Sequence, residues 1–409
     1  MTSGPLKDIR ILDLTHVWAG PLATRILGDL GAEIVKIEAP MGRGPRDYRG
    51  GIPIGGFVGR EPGDEPYNNN AAFVKLQRNK KSVAIDLKTK EGRKIFLKLV
   101  VHSDVVIENF SATAMTDLRL DYRYLQKANA QVIHVAMPGF GLTGPYKNRV
   151  AFGPTVEPMS GLAQIMGYSE DEPRSTAMAL PDPTAALHAV SAVLTALEKR
   201  ARTGVGELVE MSLLESAVAA HGPWIIESQL KNEELKPLGN RHPAMAPHGV
   251  YPCRGNDQWV AIACRNDQDW INLSCCMGNK IEKELSLEDR KSRHGEIDEQ
   301  ITAWSSMRDP EDVVMTLQEN QVPAGHVRST PEMTADPHVQ FREFFVPIEK
   351  DTPIPGNPIK MSQISPTDWT SCPRLGEHNE EVLEGWLGFT PEQIDRLKSL
   401  DVIVDKPPR

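Results

Sequence analysis

The sequence predicts an α/β fold with a mostly parallel sheet, and three observations carry that expectation. Short β-branched runs alternate with helical periods through the N-terminal third. The first three, at 9–14, 21–30 and 33–38, are spaced as a tight βαβ unit. A chain of 409 residues, 40% of them apolar, can bury more than one core.

The strands at 9–14 and 33–38 flank a helix at 21–30, and further strands are expected at 82–86, 104–108 and 131–137. Between them Thr89 can cap a helix through its hydroxyl, Glu91 suits its first turn, and Ile95, Phe96, Leu99 and Val100 make one apolar face. Residues 41–70 are rich in Gly, Pro, Arg and Asn and lack apolar periodicity, so they read as a long loop over the sheet edge. A long helix is expected at 184–202, then a strand at 207–212 and one helix at 213–230. Residues 238–252 read as irregular, 258–264 as a strand, 270–318 as charged helix and 322–325 as a turn. The expected division is a large domain at 1–229, a smaller α+β domain at 230–327, and a segment at 328–409 that returns to the large domain.

A formal net charge of -9 excludes a global attraction to nucleic acid or anionic lipid, so an anionic ligand must be met by a local basic site. The five cysteines are odd in number and form no CxxC pair, which reads as reduced thiols and gives no metal site. No run of ~18 apolar residues is free of charge, and the first residues lack a signal-peptide core. A cytoplasmic enzyme that neither spans a membrane nor binds nucleic acid is the expectation.

Several residues can carry chemistry. Asp182, in Ala179-Leu180-Pro181-Asp182-Pro183-Thr184, stands at the start of the long helix, where an acidic residue ordinarily caps backbone amides. A carboxylate there can also act as a nucleophile. The turn His16-Val17-Trp18-Ala19 joins the first strand to its helix, where helix amides favour an anion. It is no GxGxxG fingerprint, so there is no case for a dinucleotide. Asn109 with Phe110, and Gly139 with Phe140, fall after strands, where open α/β sheets bind ligands. Arg43, Arg46, Arg49, Arg241 and His242 lie in loop-like segments, and guanidinium groups facing a cleft would hold a dicarboxylate.

The segments 12–21, 28–33 and 36–38, then Asn79-Lys80-Lys81-Ser82, Glu108-Asn109-Phe110, Gly139-Phe140-Gly141, Gly239-Asn240-Arg241-His242-Pro243, Pro323-Ala324-Gly325 and Leu375-Gly376-Glu377-His378, follow one order. Together they resemble the class III coenzyme A transferases, the formyl-CoA transferase and carnitine CoA-transferase family, over nearly the whole chain. That resemblance implies a Rossmann-like large domain and an interlocked dimer, or a heteromer with a related subunit. It implies Asp182 as the acyl-accepting nucleophile, forming an aspartyl anhydride and then an enzyme-CoA thioester, with no prosthetic group and the CoA thioester as substrate. His16, Val17, Trp18, Ala19, Ile85, Lys88, Asn109, Phe110, Gly139 and Phe140 are implied contacts to CoA; the contacts expected to the acids, read from the loop segments, are Arg46, Gly239, Arg241 and His242.

Basic residues that formyl-CoA transferase turns on CoA correspond here to Ala39, Asp117 and Pro138, leaving Arg43, Arg46, Lys80, Lys81 and Arg119 as substitutes. The opening segment is similar to the succinyl-CoA:benzylsuccinate subgroup, which implies succinyl-CoA as donor and an aromatic dicarboxylate as acceptor. Two alternatives share the scaffold. One is a non-catalytic partner subunit, suggested by the prolines beside Asp182. The other is an acyl-CoA racemase, whose histidine falls here on Phe152, a residue that cannot take a proton.

Overall fold

The computed structural model describes residues 4–40, 56–279, 281–349, 352–364 and 369–407. Contacts divide the chain into two compact units, one of Met1–Leu162, Ser175–Asn232 and Glu343–Arg409, the other of Ala163–Arg174 and Glu233–Arg342.

The first unit is built on strands β1 (Arg10–Asp13), β2 (Glu33–Glu38), β3 (Lys80–Ala84), β4 (Val105–Glu108), β5 (Ile133–Ala136) and β6 (Leu208–Glu210). All neighbours are parallel, in the order β3-β2-β1-β4-β5-β6. Strand order reverses between β1 and β4, which opens a crevice at their carboxyl ends. Near-continuous apolar runs such as Ile11-Leu12 and Val105-Val106-Ile107 are fully buried, as strands covered on both faces must be.

Helices α1 (Ala19–Asp29), α2 (Lys90–Val101), α3 (Gly153–Met159), α4 (Pro181–Thr203), α5 (Leu213–Ala220) and α6 (Gly222–Lys231) follow in chain order. Thr89 caps α2, its hydroxyl accepting from the Gly92 amide at 2.9 Å. α1 packs on α4 over one face of the sheet, with Ala23, Leu27, Ala185, Ala189 and Val193 buried between them. Phe96 and Leu99 of α2 join Val382, Leu383 and Ile403 on the other face, so the last segment completes this unit.

Two expectations fail for identifiable reasons. The helix expected at 213–230 breaks at His221, because Gly222 and Pro223 follow and proline has no amide to continue the ladder. β3 begins two residues before the expected 82, since Lys80 is drawn into the sheet by a buried partner described below. Of the loop expected at 41–70, residues 41–55 lie outside the described residues; the rest holds two short 3₁₀ turns, Val58–Arg60 and Pro66–Asn68.

The second unit is a three-stranded antiparallel sheet of β7 (His248–Pro252), β8 (Trp259–Ala263) and β9 (Ala324–Val327) with β8 central. Trp270, Leu273, Ile301, Val313 and Leu317 from its helices form its core with Val260 and Ile262. β7 falls where irregular chain is expected, and β9 where a turn is. β7 is an edge strand, which tolerates the terminal Pro252 that obscures it in the sequence. This unit runs from 233 to 342 and adds 163–174, whereas the sequence places the smaller domain at 230–327.

Candidate active site

Asp182 is the second residue of α4. Pro181 and Pro183 flank it within the first turn, where helix amides have no intrahelical acceptor and a missing N–H is harmless. The Asp182 side chain is buried, and burial pushes its pKa up to about 6, partly offset by a hydrogen bond from the Ala19 amide. The dipole of α4 favours the anion by at most ~2 kcal/mol, and because the net shift is upward, desolvation wins. Among the described residues no amide of α4 donates to this carboxylate, which leaves the capping alternative without a hydrogen bond. At the start of α3, a Cβ on Gly153 would overlap Asp182 Oδ2, so only glycine permits this approach.

Ala19 opens α1 at the carboxyl end of β1, and Trp18 before it offers no capping acceptor, so the first amides of α1 are available to another anion. Val17 has φ 66°, a left-handed conformation that strains a β-branched residue by about 1–3 kcal/mol. The surroundings hold it there. Asn109, after β4, accepts from the His16 amide at 2.7 Å and donates to the His16 carbonyl at 2.8 Å. Asp13 accepts from the Thr15 amide at 2.8 Å and its hydroxyl at 2.6 Å.

Beneath the turn, Lys80 Nζ lies 3.0 Å from Asp13 Oδ2, and Lys36 reaches the other oxygen and the Thr15 carbonyl. Burial alone would raise the Asp13 pKa, but Lys36 and Lys80 hold its carboxyl well below the usual range. Burial lowers Lys80 to about 8. Lys80, one of the substitutes offered for the missing CoA contacts, is therefore a buried structural cation, while Lys81 pairs with Glu33 at 2.7 Å and Glu381 at 2.9 Å. His16 stacks on Phe110 at 5.3 Å, and burial followed by the Lys36 charge pushes its pKa down to about 4. Burial thus favours its neutral form, which keeps one ring N–H but is a poor general acid.

His16, Val17, Trp18, Ala19, Asn109 and Phe110 thus gather at the β1/β4 switch point beside Asp182. Gly139 and Phe140 follow β5; Gly139 abuts Ala151, and Phe140 meets the Tyr146 edge at 6.0 Å. Ile85 is fully buried beside Ile403, so its side chain faces core rather than ligand, and Lys88 is exposed in the next turn. Gly239, Arg241 and His242 belong to the second unit, where Arg241 pairs with Asp298 at 2.6 Å and the His242 ring lies 5.5 Å from that of His248. Arg46, with Arg43 and Arg49, lies outside the described residues.

Glu157 is absent from the sequence-derived set. It is fully buried in α3 and accepts from the Thr176 amide at 2.5 Å, the Thr176 hydroxyl at 2.7 Å and the Leu180 amide at 3.2 Å. One signal for it exists: Gly153, Val156, Glu157 and Ser160 recur at i, i+3, i+4 and i+7, which sets the carboxylate on a buried stripe. Phe152, at the N-terminal cap of α3, leaves the racemase alternative without its base.

No described helix is long and apolar enough to cross a membrane, and the described residues contain no cluster suited to a metal ion. The model of CoA-transferase family III matches residues 6–379. Succinyl-CoA--D-citramalate CoA-transferase of Chloroflexus aurantiacus is 32% identical over 98% of this chain and 98% of its own. Succinyl-CoA:mesaconate CoA-transferase of Haloarcula hispanica is 32% identical over 93% of this chain and 96% of its own. A solved CaiB/BaiF family protein from Brucella suis superposes with a TM-score of 0.84 at 28% identity, over 94% of this chain and 100% of that one. Both the motif order and these likenesses lead to one conclusion: the chain belongs to CoA-transferase family III and is a class III CoA-transferase.

Proposed function

We propose that the chain moves CoA from succinyl-CoA to a dicarboxylic acid, with Asp182 as the covalent carrier. The observation that carries this reading is a buried carboxylate with a pKa near 6, hydrogen-bonded by the amide that opens α1 at the sheet's switch point. It is ionised at neutral pH and more basic than an ordinary aspartate, hence a better nucleophile.

In the first step a carboxylate oxygen of Asp182 attacks the thioester carbonyl, the C–S bond breaks, and CoA leaves as thiolate from a mixed anhydride. The thiolate then attacks the Asp182 carbonyl, which releases succinate and forms an enzyme-CoA thioester. The acceptor carboxylate attacks that thioester to give a second anhydride and free thiolate. Thiolate attack on the acceptor's carbonyl yields the new thioester and restores Asp182. The Ala19 amide and the N-terminal end of α1 favour the charge that develops on oxygen.

Relatives named for citramalate, glutarate, L-malate and mesaconate favour a short aliphatic dicarboxylate; benzylsuccinate is the aromatic member of the same class. Family membership supports a dimer whose chains interlock, and exposed apolar side chains such as Val150, Leu187, Ile226 and Leu230 are available to a second chain. The L-malate relative is a beta subunit, which supports a related second chain as the other form of that assembly. A CoA thioester as substrate is consistent with a cytoplasmic enzyme.

Mass spectrometry of the protein after succinyl-CoA, with and without hydroxylamine or borohydride, tests the carrier. An acyl or CoA adduct on the Asp182 peptide, absent in Asp182→Ala, is expected, and transfer assayed across the dicarboxylates fixes the acceptor. A wild-type protein that takes no adduct from several acyl-CoAs overturns the reading in favour of a non-catalytic subunit.

A further inference from the structure

We propose that Glu157 is a positioning residue for Asp182: its carboxylate locks residues 176–180 and so sets the direction from which the start of α4 presents the nucleophile. The proposal rests on the covalent reading above and deepens it.

Three donors converge on this carboxylate, the Thr176 amide and hydroxyl and the Leu180 amide, while no cation pairs with it among the described residues. A buried carboxylate costs several kcal/mol unless hydrogen-bonded, and an apolar side chain would fill the same space more cheaply. What the carboxylate fixes is a bend that does not hold itself. Ala179, inside the bend, has φ 48°, a left-handed conformation that a non-glycine residue adopts at a cost of about 1–3 kcal/mol.

From the bend the constraint passes directly to the nucleophile. The Asp182 amide donates to the Ala179 carbonyl at 3.0 Å, and the Thr184 hydroxyl to the Leu180 carbonyl at 2.9 Å. At its other end α3 brings Gly153 against Asp182 Oδ2. One short helix therefore grips the strained bend with Glu157 and receives the carboxylate with Gly153.

The test compares Glu157→Gln and Thr176→Val with wild type in single-turnover formation of the Asp182 adduct. Glutamine presents an NH₂ group to donors and leaves an amide unmatched, so adduct formation should slow about 100-fold, as a small misplacement does. The half-saturating succinyl-CoA concentration should stay within about twofold, because no CoA contact changes. Thr176→Val should slow the step about tenfold. Deuterium uptake should rise in the peptide holding 176–182 and stay unchanged around 10–29, and the acid limb of the rate should move from near pH 6 toward the ordinary carboxylate range.

An adduct rate within about twofold of wild type in folded Glu157→Gln overturns the proposal and leaves the covalent reading standing. If that variant does not fold, an unchanged rate in Thr176→Val overturns it. A wild-type protein without adduct removes the covalent reading and this proposal together.

Discussion

Two turns of backbone meet at Asp182, and they are held in opposite ways. Residues 15–19 rest on a charged network within the sheet: Asp13 with Lys36 and Lys80, and Asn109 on both sides of the His16 peptide. Residues 176–180 hang from one carboxylate that pairs with no cation among the described residues. The charged floor of the first turn is part of the core, and the loss of its ion pairs should be felt as stability. The second is a local device, and its loss should be felt as rate.

The largest expected effect is on the first turn. Lys80→Met removes one of the two cations on a fully buried Asp13 and should cost about 3–5 kcal/mol, the usual consequence of breaking a buried pair. Urea unfolding of the variant at pH 7.5 reads this directly. A loss under about 1 kcal/mol, the scale of a surface pair, would break the contrast between the turns.

The same contrast explains what the sequence discloses. β2 matches its expected bounds and β1, β4 and β5 fall within theirs, because buried parallel strands are unbroken apolar runs. The turn at 16–19 and Asn109 are legible because strand ends in such a sheet are where ligands bind. Lys80 is not: a lysine beside Lys81 reads as solvated, and only the three-dimensional position of Asp13, 67 residues earlier, makes it buried. Glu157 is hidden for the same reason, since its partners lie 19 and 23 residues onward in a segment without periodicity. In the second unit β7 is hidden by the prolines at 247 and 252, which a central strand would not bear.

A smaller effect of opposite sign should appear at Asp182 itself. Its folded pKa near 6 exceeds the ordinary 3.8, so the native state binds this proton more tightly than the unfolded chain. That contribution is complete below about pH 4 and is lost as pH rises through 6. At pH 7.5 the buried charge is therefore a deficit, and Asp182→Asn should gain about 1–3 kcal/mol there. The gain should shrink toward zero at pH 4 while adduct formation disappears. A variant less stable than wild type at pH 7.5 would mean that the carboxylate, like Asp13, is a structural anion.

Asn109→Ala sharpens the comparison at the smallest scale. The resemblance gives Asn109 to CoA, yet both ends of its amide are engaged by the His16 peptide. Removing them frees a strained turn whose Ala19 amide donates to Asp182. A loss of about 1.4 kcal/mol, the scale of one such hydrogen bond, is a tenfold slower adduct formation. If Asn109 acts through the turn, that loss falls on the maximal rate, with half-saturation by succinyl-CoA little changed. If it is instead a CoA contact, half-saturation rises and the maximal rate survives. Because Asp13 still anchors Thr15 from below, the variant should unfold at nearly the wild-type urea concentration, which separates a lost clamp from a lost core.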